Sequence, residues 1–570
     1  MKMTGAQILL DGFVKEGVEV TFGIQGGKVI PLFDAMLQFP QIHHVLTRHE
    51  QGAAHAAEGY ARTSGKVGVC IATSGPGATN LVTGIADAFL DSIPMVAVTG
   101  QVNRADIGKD AFQEVDITGI TLPITKHNYL VQDAASLPRI VKEAFHLART
   151  GRPGPVHIDI PGDVFSEQVE YHYPKKLDLP SYDPTLEGHP VQIKRAAKMI
   201  KESRRPVILA GRGVIISRAF DELKELAETA QIPVITTLLG ISSIPESHVL
   251  CYGMLGMHGM AYANLATDAA DTIIAIGMRF DDRATAKVSA FNPHARIIHI
   301  DIDPAEIGKN IKVDVPIVGD VKTVLTELNK KITAAEHIDW IRQIDEWQHE
   351  HPGLNIRDTD SILPQYVVRQ LYEATKGQAI IVTGVGQHQM WAAQHYTYDY
   401  PDSLISSGGL GTMGFGLPAA VGAQMGRPDK MVWCIDGDGS FQMTIQELAT
   451  IQQERLPIKI AIFNNGFLGM VRQWQDLFFD KRYVATPLSG PDFVKVADAY
   501  GIPGVSVKHR DDVAPAIKKA MAEPGAFLVN FHIEPEENVY PMVQIGGSLV
   551  ELLEDEQTKK EATWQQTSIR

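Results

Sequence analysis

The sequence predicts an α/β protein built from three doubly wound parallel-sheet domains, and three observations support that prediction. The chain has 570 residues, enough for about three or four domains. Short apolar runs alternate with helix-length stretches in three blocks, a pattern typical of parallel sheets covered by helices. A segment containing Pro174, Pro180, Pro184 and Pro190 separates the first block from the second.

The blocks define the predicted domains, which are residues 1–170, 190–335 and 360–545. Eleven apolar runs are strand candidates, and in chain order they lie at 67–73, 95–99, 156–160, 207–210, 234–236, 273–276, 297–300, 379–383, 431–435, 458–463 and 527–533. A charged stretch with two tryptophans, residues 337–351, is predicted to be a helix between the second and third domains. Residues 546–570 are predicted to be a mobile C-terminal tail or a partner arm.

Composition excludes several classes of function. A net charge of −15 argues against binding to nucleic acid. No apolar run reaches the length of a membrane span, and no signal or transit peptide is visible, so we expect a cytoplasmic protein. The three cysteines, Cys70, Cys251 and Cys434, are far apart and lack metal-ligand spacing, which favours buried thiols in a reducing compartment.

Oxygen-bearing side chains follow two neighbouring strand candidates of the third block. Gly437-Asp438-Gly439 ends one strand, and Asn464-Asn465 ends the next, with Asn465 27 positions after Asp438. This gap has room for one crossover helix, so both ends would meet at the carboxyl edge of a parallel sheet. Carboxylate and amide oxygens there suit Mg²⁺ shared with a diphosphate.

These two motifs resemble the thiamin diphosphate (ThDP) signature, in which Gly-Asp-Gly precedes Asn-Asn by about 25–30 residues. The alternative is two unrelated loops, because Gly-Asp-Gly alone occurs by chance. Residues 47–62, TRHEQGAAHAAEGYAR, also resemble a stretch of this family. The resemblance implies that Glu50 hydrogen-bonds the aminopyrimidine of the cofactor and activates it, although a carboxylate at a helix start also stabilises the helix. Glu58 is expected to have a structural role.

Further stretches resemble one branch of that family, the biosynthetic acetohydroxyacid synthases, also called acetolactate synthases. They include residues 22–27, 100–102, 110–116 and 124–128 in the first block and 407–414 and 469–475 in the third, and the resemblance covers nearly the whole chain. It implies that the first domain binds the ThDP pyrimidine, the central domain binds FAD, and the third binds the ThDP diphosphate.

The resemblance also assigns residues to the active site. Gln113 and Phe112 would border the reacting 2-oxo acid, Met413 would support the bent cofactor, and Trp474 would narrow the pocket for the second substrate. Outside these motifs, Met413 and Trp474 would be read as core residues. The implied ThDP contacts are Pro76, Asn80, Gly386, Gln387, His388, Gly411, Met413, Gly437, Asp438, Gly439, Ser440 and Met470. The implied Mg²⁺ ligands are Asp438, Asn465 and the carbonyl of Phe467.

A flavin site is implied in the central domain. Residues 279–283, RFDDR, form a self-pairing charge cluster by themselves, but they resemble a signature that separates flavin-containing biosynthetic members from flavin-free catabolic ones. The implied FAD contacts are Arg152, Gly211, Arg212, Gly213, Thr236, Leu238, Met257, His258, Gly277, Arg279, Asp281, Arg283, Asp301, Ile302 and Asp320. Glycine turns, arginines and aspartates suit a dinucleotide. Since the reaction has no net redox step, the flavin would be structural or a relic of an oxidase ancestor.

Two positions depart from the family pattern. Relatives usually have Pro-Gly-Gly where this chain has Gln25-Gly26-Gly27, and often Pro-Lys-Asp where it has Pro161-Gly162-Asp163. The role of that lysine cannot be transferred to Gly162.

The predicted function is therefore ThDP-dependent decarboxylation of pyruvate and its carboligation to a second 2-oxo acid, giving 2-acetolactate or 2-aceto-2-hydroxybutyrate. A flavin-dependent pyruvate oxidase, a flavin-free catabolic acetolactate synthase and an inactive scaffold are the alternatives. The family builds each site from two chains, which implies a homodimer or homotetramer. It also leaves room for a small regulatory subunit, while neither nucleic acid nor membrane is expected as a partner.

Overall fold

The computed structural model describes residues 2–555 and contains three parallel six-stranded sheets, each flanked by helices. This confirms the predicted fold class. Within the described residues no helix is both long enough and apolar enough to cross a membrane.

The first unit is an α/β sheet closed by a short antiparallel pair. Its elements are β1 (Lys2–Thr4), α1 (Gly5–Lys15), β2 (Val20–Gly23), α2 (Ile30–Met36), β3 (His43–Leu46), α3 (Glu50–Ser64), β4 (Gly68–Ala72), α4 (Pro76–Asn80), α5 (Val82–Leu90), β5 (Met95–Gln101), α6 (Ile117–Thr121), β6 (His127–Leu130), α7 (Leu137–Arg149), β7 (Pro155–Pro161), α8 (Gly162–Ser166) and β8 (Gln168–Glu170). The sheet order is β3-β2-β4-β5-β7-β6, and β1 pairs with β8 outside it.

The second unit follows the proline-rich segment. Its elements are α9 (Pro190–Glu202), β9 (Pro206–Ala210), α10 (Arg212–Ile216), α11 (Phe220–Ala230), β10 (Val234–Thr236), β11 (Cys251–Met254), α12 (Ala261–Ala269), β12 (Thr272–Ile276), α13 (Asp282–Thr285), β13 (Arg296–Asp301), β14 (Val315–Val318) and α14 (Val321–Asn329). The sheet order is β11-β10-β9-β12-β13-β14. In chain order this is 3-2-1-4-5-6, the arrangement of dinucleotide-binding sheets.

The third unit begins after α15 (Ile338–Glu350), the helix predicted at 337–351. Its elements are α16 (Pro364–Thr375), β15 (Ile380–Thr383), α17 (Gln387–His395), β16 (Leu404–Ile405), α18 (Gly416–Gly426), β17 (Val432–Gly437), α19 (Asp438–Gln442), α20 (Leu448–Glu454), β18 (Lys459–Asn464), α21 (Gly469–Phe478), α22 (Phe493–Ala499), β19 (Gly504–Val507), α23 (Val513–Ala522) and β20 (Phe527–His532). The sheet order is β16-β15-β17-β18-β20-β19. In chain order the first and third sheets share the sequence 2-1-3-4-6-5.

The segment predicted to be a C-terminal tail begins with an ordered turn. β21 (Met542–Val543) pairs antiparallel with β22 (Leu552–Leu553). Glu554 then approaches the end of α15, where its Oε2 lies 2.8 Å from Nδ1 of His351. Residues 556–570 of the predicted tail lie outside the described part of the chain.

The first and third units meet through α3 and α18, which pack with their backbones in close approach. A Cβ atom at Gly422 would lie 1.8 Å from the carbonyl oxygen of Ala56, and one at Gly59 would lie 2.0 Å from that of Ala419. Small residues here bring two helices from different units together without side chains between them, so this contact fixes the relative position of the units.

Gly422→Ala is expected to destabilise the protein. Alanine favours a helix over glycine by about 1 kcal/mol, but forcing a methyl group into this contact costs about 1–3 kcal/mol or more. At 1.8 Å from a carbonyl oxygen the steric cost dominates, so we expect a lower urea midpoint. Gly27→Ala, where a Cβ meets nothing within 4 Å, is the control. Equal midpoints for the two variants would contradict the close contact.

Candidate active site

Three helices of the third unit begin at one cavity beside the carboxyl ends of β15, β17 and β18. α17 starts at Gln387, α19 at Asp438 and α21 at Gly469, and all three residues line the cavity. Amides in the first turn of a helix lack partners within the helix and bind anions. This end of the unit therefore fits a diphosphate.

The two oxygen-bearing motifs lie side by side in this cavity. β17 and β18 pair in parallel with Gly437 opposite Phe463, so Asp438 and Asn465 leave neighbouring strands at the same edge. The short helices α19 and α20 both lie between the strands, instead of the single crossover helix that the spacing predicts.

The donor set at this edge fits Mg²⁺. Oδ2 of Asp438 accepts a hydrogen bond from the amide of Gly466 at 3.1 Å, and Oδ1 of Asn465 accepts one from the amide of Phe467 at 3.1 Å. Burial raises the pKa of Asp438 to about 6, and within residues 2–555 this carboxylate has no ion-pair partner. A divalent cation on these oxygens would compensate for the lost hydration.

His388 closes the side of this cavity next to Gly437. A Cβ at Gly437 would lie 2.8 Å from Nδ1 of His388, so only glycine leaves room for the ring. Nε2 of His388 is buried without a hydrogen bond and lies 3.3 Å from Oδ1 of Asp436. This nitrogen is therefore next to a buried carboxylate of β17, and the ring packs against the glycine that lines the cavity.

Met413 and Met470 line this cavity and also a much larger one of about 1090 Å³. The Cε of Met413 lies 3.8 Å from the position of a Cβ on Gly439. Trp474 and Gly411 line the larger cavity but not the smaller one. The two predicted cofactor regions are thus adjacent, and the methionines form their common wall together with Val385 and Gly386.

Buried glutamines fix the helix that carries Trp474. Oε1 of Gln473 accepts a hydrogen bond from Nε2 of Gln387 at 2.9 Å, and its Nε2 donates to the carbonyl of Val539 at 2.9 Å. Trp474 packs on Phe478 with ring centroids 6.1 Å apart. The sequence did not single out Gln473, although it lies beside Trp474 in the motif.

Glu50 lies at the first position of α3 in the first unit and is 8% exposed. Its Oε2 accepts a hydrogen bond from Nδ2 of Asn80 at 2.9 Å. Its Oε1 faces the turn that begins α4, 3.1 Å from the position of a Cβ on Gly77. Glu50, Asn80 and Pro76 line neither of the two cavities described above. Within one chain, Glu50 therefore lies next to Asn80 but outside the cavity that holds Asp438 and Asn465.

Gln113 and Phe112 lie against the same turn of the first unit. The backbone of Gln113 has φ of +61°, a strained left-handed conformation, and it packs over Gly75, where a Cβ would lie 2.7 Å from the Gln113 carbonyl oxygen. Phe112 is 85% exposed. A large aromatic ring exposed beside a strained residue is a surface that suits a contact with another molecule.

The larger cavity lies at the carboxyl edge of the second sheet and reaches the third unit. Most of the residues implied for FAD line it: Arg152, Arg212, Gly213, Leu238, Met257, His258, Gly277, Arg279, Asp281, Arg283, Asp301, Ile302 and Asp320. Gly211 and Thr236 lie just outside. A Cβ at Gly211 would lie 2.4 Å from the Gly277 carbonyl oxygen, and Thr236 is fully buried at the end of β10.

Several charged groups line this cavity, and one of them has a buried polar atom without a hydrogen bond. Nε of Arg212 is buried without a hydrogen bond, and burial lowers the pKa of its guanidinium to about 10. Burial raises the pKa of Asp301 to about 7. Arg152 pairs with Asp303 at 3.1 Å and Glu306 at 2.8 Å. A buried arginine Nε with no partner among the described residues, and carboxyls near one wall, suit a ligand with phosphates and hydroxyls.

The charged residues of the RFDDR motif pair with one another, which is the simpler interpretation of the motif. They also line the larger cavity. Arg279 lies 3.8 Å from Asp281, and Arg283 lies 3.7 Å from Asp282. Asp281 also caps α13 by accepting from the amides of Arg283 and Ala284, both at 3.0 Å. Pairing within the motif is therefore compatible with a binding role.

Sequence reasoning missed the parts of the cavity wall that come from distant segments. These are residues 90–92 at the end of α5 and residues 182–184 and 186 of the proline-rich segment. Asp91 joins the first of these segments to residues 407–410 of the stretch that resembles the family, because its carboxylate accepts from Gly408 N at 3.0 Å, Gly409 N at 2.6 Å and Arg62 Nη2 at 2.6 Å. Only an overall alignment to relatives, not a local motif, could have found them.

Family models match all three units. They are described as thiamine pyrophosphate enzyme N-terminal TPP binding domain at residues 3–120, central domain at 193–328, and C-terminal TPP binding domain at 384–531. The acetolactate synthase of Mycobacterium bovis is 50% identical over 560 residues, which cover 96% of this chain and 91% of the relative.

The names of two further relatives include the words large subunit. The acetolactate synthase large subunit of Corynebacterium glutamicum is 50% identical over 563 residues, covering 96% of this chain and 89% of the relative. The probable acetolactate synthase large subunit of Methanocaldococcus jannaschii is 48% identical over 565 residues, covering 97% and 95%. The chain belongs to the acetolactate synthase large-subunit family.

Membership of the acetolactate synthase family confirms the resemblance drawn from the motifs. The two departures from the family pattern lie on the first sheet's carboxyl edge. Gln25 is exposed. At Gly162 a Cβ would lie 3.1 Å from Oδ1 of Asn103 and 3.5 Å from Cδ of Lys28.

Proposed function

We propose that this chain is the catalytic subunit of an acetolactate synthase. It decarboxylates pyruvate and joins the remaining two-carbon unit to pyruvate or 2-oxobutyrate, releasing one CO₂ for each carbon–carbon bond formed. The products, 2-acetolactate and 2-aceto-2-hydroxybutyrate, serve branched-chain amino acid biosynthesis. The single observation that carries this proposal is the cavity holding Asp438 and Asn465, which shares Met413 and Met470 with a second cavity of dinucleotide size.

In the proposed site the third unit holds the metal and the diphosphate. Asp438, Oδ1 of Asn465 and the carbonyl of Phe467 would hold Mg²⁺, while the first turns of α17 and α21 would bind diphosphate oxygens. ThDP, when bound, supplies the carbon nucleophile and the electron sink that decarboxylation needs. Met413, between the two cavities, would support the middle of the cofactor.

Glu50 is the proposed proton carrier, and Asn80 positions it. The hydrogen bond from Asn80 occupies Oε2, which leaves Oε1 free to exchange a proton with the aminopyrimidine ring. Since Glu50 lines neither cavity of its own chain, we propose that it serves the metal site of a second copy. The protein would then act as a homodimer or homotetramer with Phe112 at the contact.

The substrates are proposed to bind between the first unit of one chain and the third unit of the second copy. Gln113, held in its strained conformation against the turn at Gly75, would place its amide next to the 2-oxo acid. Trp474 would narrow the space for the second substrate and favour 2-oxobutyrate over pyruvate. Relatives named as large subunits also support a separate small regulatory subunit as a partner.

FAD is the proposed occupant of the larger cavity. The strand order of the second sheet, the glycine turn at Gly211–Gly213 and the unpaired Nε of Arg212 support a dinucleotide there. Joining two 2-oxo acids with loss of CO₂ requires no net oxidation. The flavin is therefore proposed to have a structural role.

A flavin-dependent pyruvate oxidase is the competing function, because it would use the same two cavities. We expect the purified protein to show flavin absorbance that pyruvate does not bleach under anaerobic conditions, and to form 2-acetolactate without consuming oxygen. Bleaching by pyruvate together with oxygen uptake would show an oxidase. A stable, flavin-free protein with full activity would instead favour the catabolic acetolactate synthases.

A further inference from the structure

Lys28 lies at the carboxyl edge of the first sheet and is a cation without a partner in the described part of the chain. It follows β2, is half-buried, and its ammonium makes no hydrogen bond or ion pair with any residue between 2 and 555. The neighbouring Arg104 differs, because it pairs with Asp163 at 2.7 Å and Glu167 at 3.1 Å. No protein group among the described residues neutralises the Lys28 ammonium, although fixing a long lysine side chain in one place costs conformational entropy.

Two glycines make room for the Lys28 side chain. A Cβ at Gly100 would lie 3.0 Å from Cβ of Lys28, and one at Gly162 would lie 3.5 Å from its Cδ. The aliphatic part of the side chain therefore lies over the ends of β5 and β7. This packing keeps the lysine at the sheet edge instead of leaving it free in solvent.

Lys28 shares this edge with the proposed catalytic groups. Its amide donates to Oγ1 of Thr73 at 3.3 Å. The position of a Cβ on Gly77 lies 2.9 Å from Cγ2 of Thr73 and 3.1 Å from Oε1 of Glu50, so Thr73 links Lys28 to the turn that Glu50 faces. Gln113 packs over Gly75 in the same turn.

Resting on the proposed function, we propose that the Lys28 ammonium binds the carboxylate of the incoming 2-oxo acid. The substrate is a small anion that must approach an edge already carrying the Glu50 carboxylate, so it needs a cation to offset repulsion. A lysine with no partner among residues 2–555 provides that cation as a compact point charge. Lys28 thus acts in substrate binding and does not take part in proton transfer.

Steady-state kinetics of the holoenzyme with pyruvate test this role. Lys28→Met keeps the side-chain length and removes the charge, and we expect KM for pyruvate to rise about tenfold with kcat within about twofold. Lys28→Arg should keep KM near the wild-type value. The double variant Lys28→Met, Gly162→Lys should restore it, because a lysine at 162 starts 3.5 Å from the position of the original side chain.

Controls separate this role from folding and from the proposed function itself. Lys66→Met removes a lysine paired with Glu19 at the opposite end of the sheet and should leave KM unchanged. An unchanged KM in Lys28→Met, or an equal rise in Lys28→Arg, would overturn the role of Lys28 while wild-type synthesis of 2-acetolactate stands. If wild type forms no 2-acetolactate, the proposed function fails instead.

Discussion

Replacing Glu50 with glutamine is expected to lower kcat by about 10²–10⁴-fold, the usual loss when a positioned proton carrier is removed. Glutamine has the same shape and can still accept the hydrogen bond from Asn80, so the fold and the first unit's turn should be preserved. The amide cannot exchange the proton that cofactor activation requires. Turnover of pyruvate measures the loss, and calorimetric titration with ThDP and Mg²⁺ should show nearly wild-type affinity.

Asn80→Ala provides a graded comparison for this prediction. It removes only the hydrogen bond that orients Glu50 and leaves the carboxylate in place, so a loss of about tenfold is expected. Turnover of Glu50→Gln within twofold of wild type would eliminate Glu50 as the proton carrier, and so would a loss that arises only from weaker cofactor binding.

Asp438→Asn is expected to abolish activity through a different step. The substitution removes the one charged oxygen donor of the metal site, and affinity for Mg²⁺ and ThDP together should fall by at least about 100-fold. Calorimetric titration measures this fall, and high Mg²⁺ should restore part of the activity. Normal affinity in this variant would place the metal elsewhere. Asp436→Asn, two residues earlier in β17 and buried beside His388, shows how much a neighbouring carboxylate contributes.

Mixing the two inactive variants tests whether a site uses two chains. A mixed dimer of Glu50→Gln and Asp438→Asn chains contains one site with both native residues. Random re-pairing should therefore recover roughly a quarter of wild-type activity. Absence of recovery in demonstrably mixed oligomers would mean that each chain completes its own site.

Eleven of the twelve inner strands were predicted from the sequence and β2 (Val20–Gly23) was missed, while none of the six edge strands was predicted. β10 lies at Val234–Thr236 as predicted, because a strand buried on both faces is a short continuous apolar run. β3, His43–Leu46, and β19, Gly504–Val507, carry polar or small residues and are partly exposed. An edge strand has a single neighbour and needs no such run, so its position is determined by the assembled sheet.

The site residues divide in the same way, into those that a local motif predicts and those that only the packing of the units brings to the site. Asp438 and Asn465 were found from strand ends and spacing, and the structure places them on neighbouring strands. Asp91 and the proline-rich segment reach the larger cavity only because whole units pack together. Lys28 carries no recognisable motif, and its position over two glycines depends on contacts between strands that are far apart in sequence.

Product analysis with pyruvate and 2-oxobutyrate in competition is the decisive test of the proposed carboligation. The protein is supplied with ThDP, Mg²⁺ and FAD, each omitted in turn, and CO₂ is counted against the products. We expect 2-acetolactate and 2-aceto-2-hydroxybutyrate, one CO₂ for each molecule formed, and no product without ThDP or Mg²⁺. Release of acetaldehyde or acetate with no carbon–carbon bond formed, or synthesis that is independent of ThDP, would contradict it.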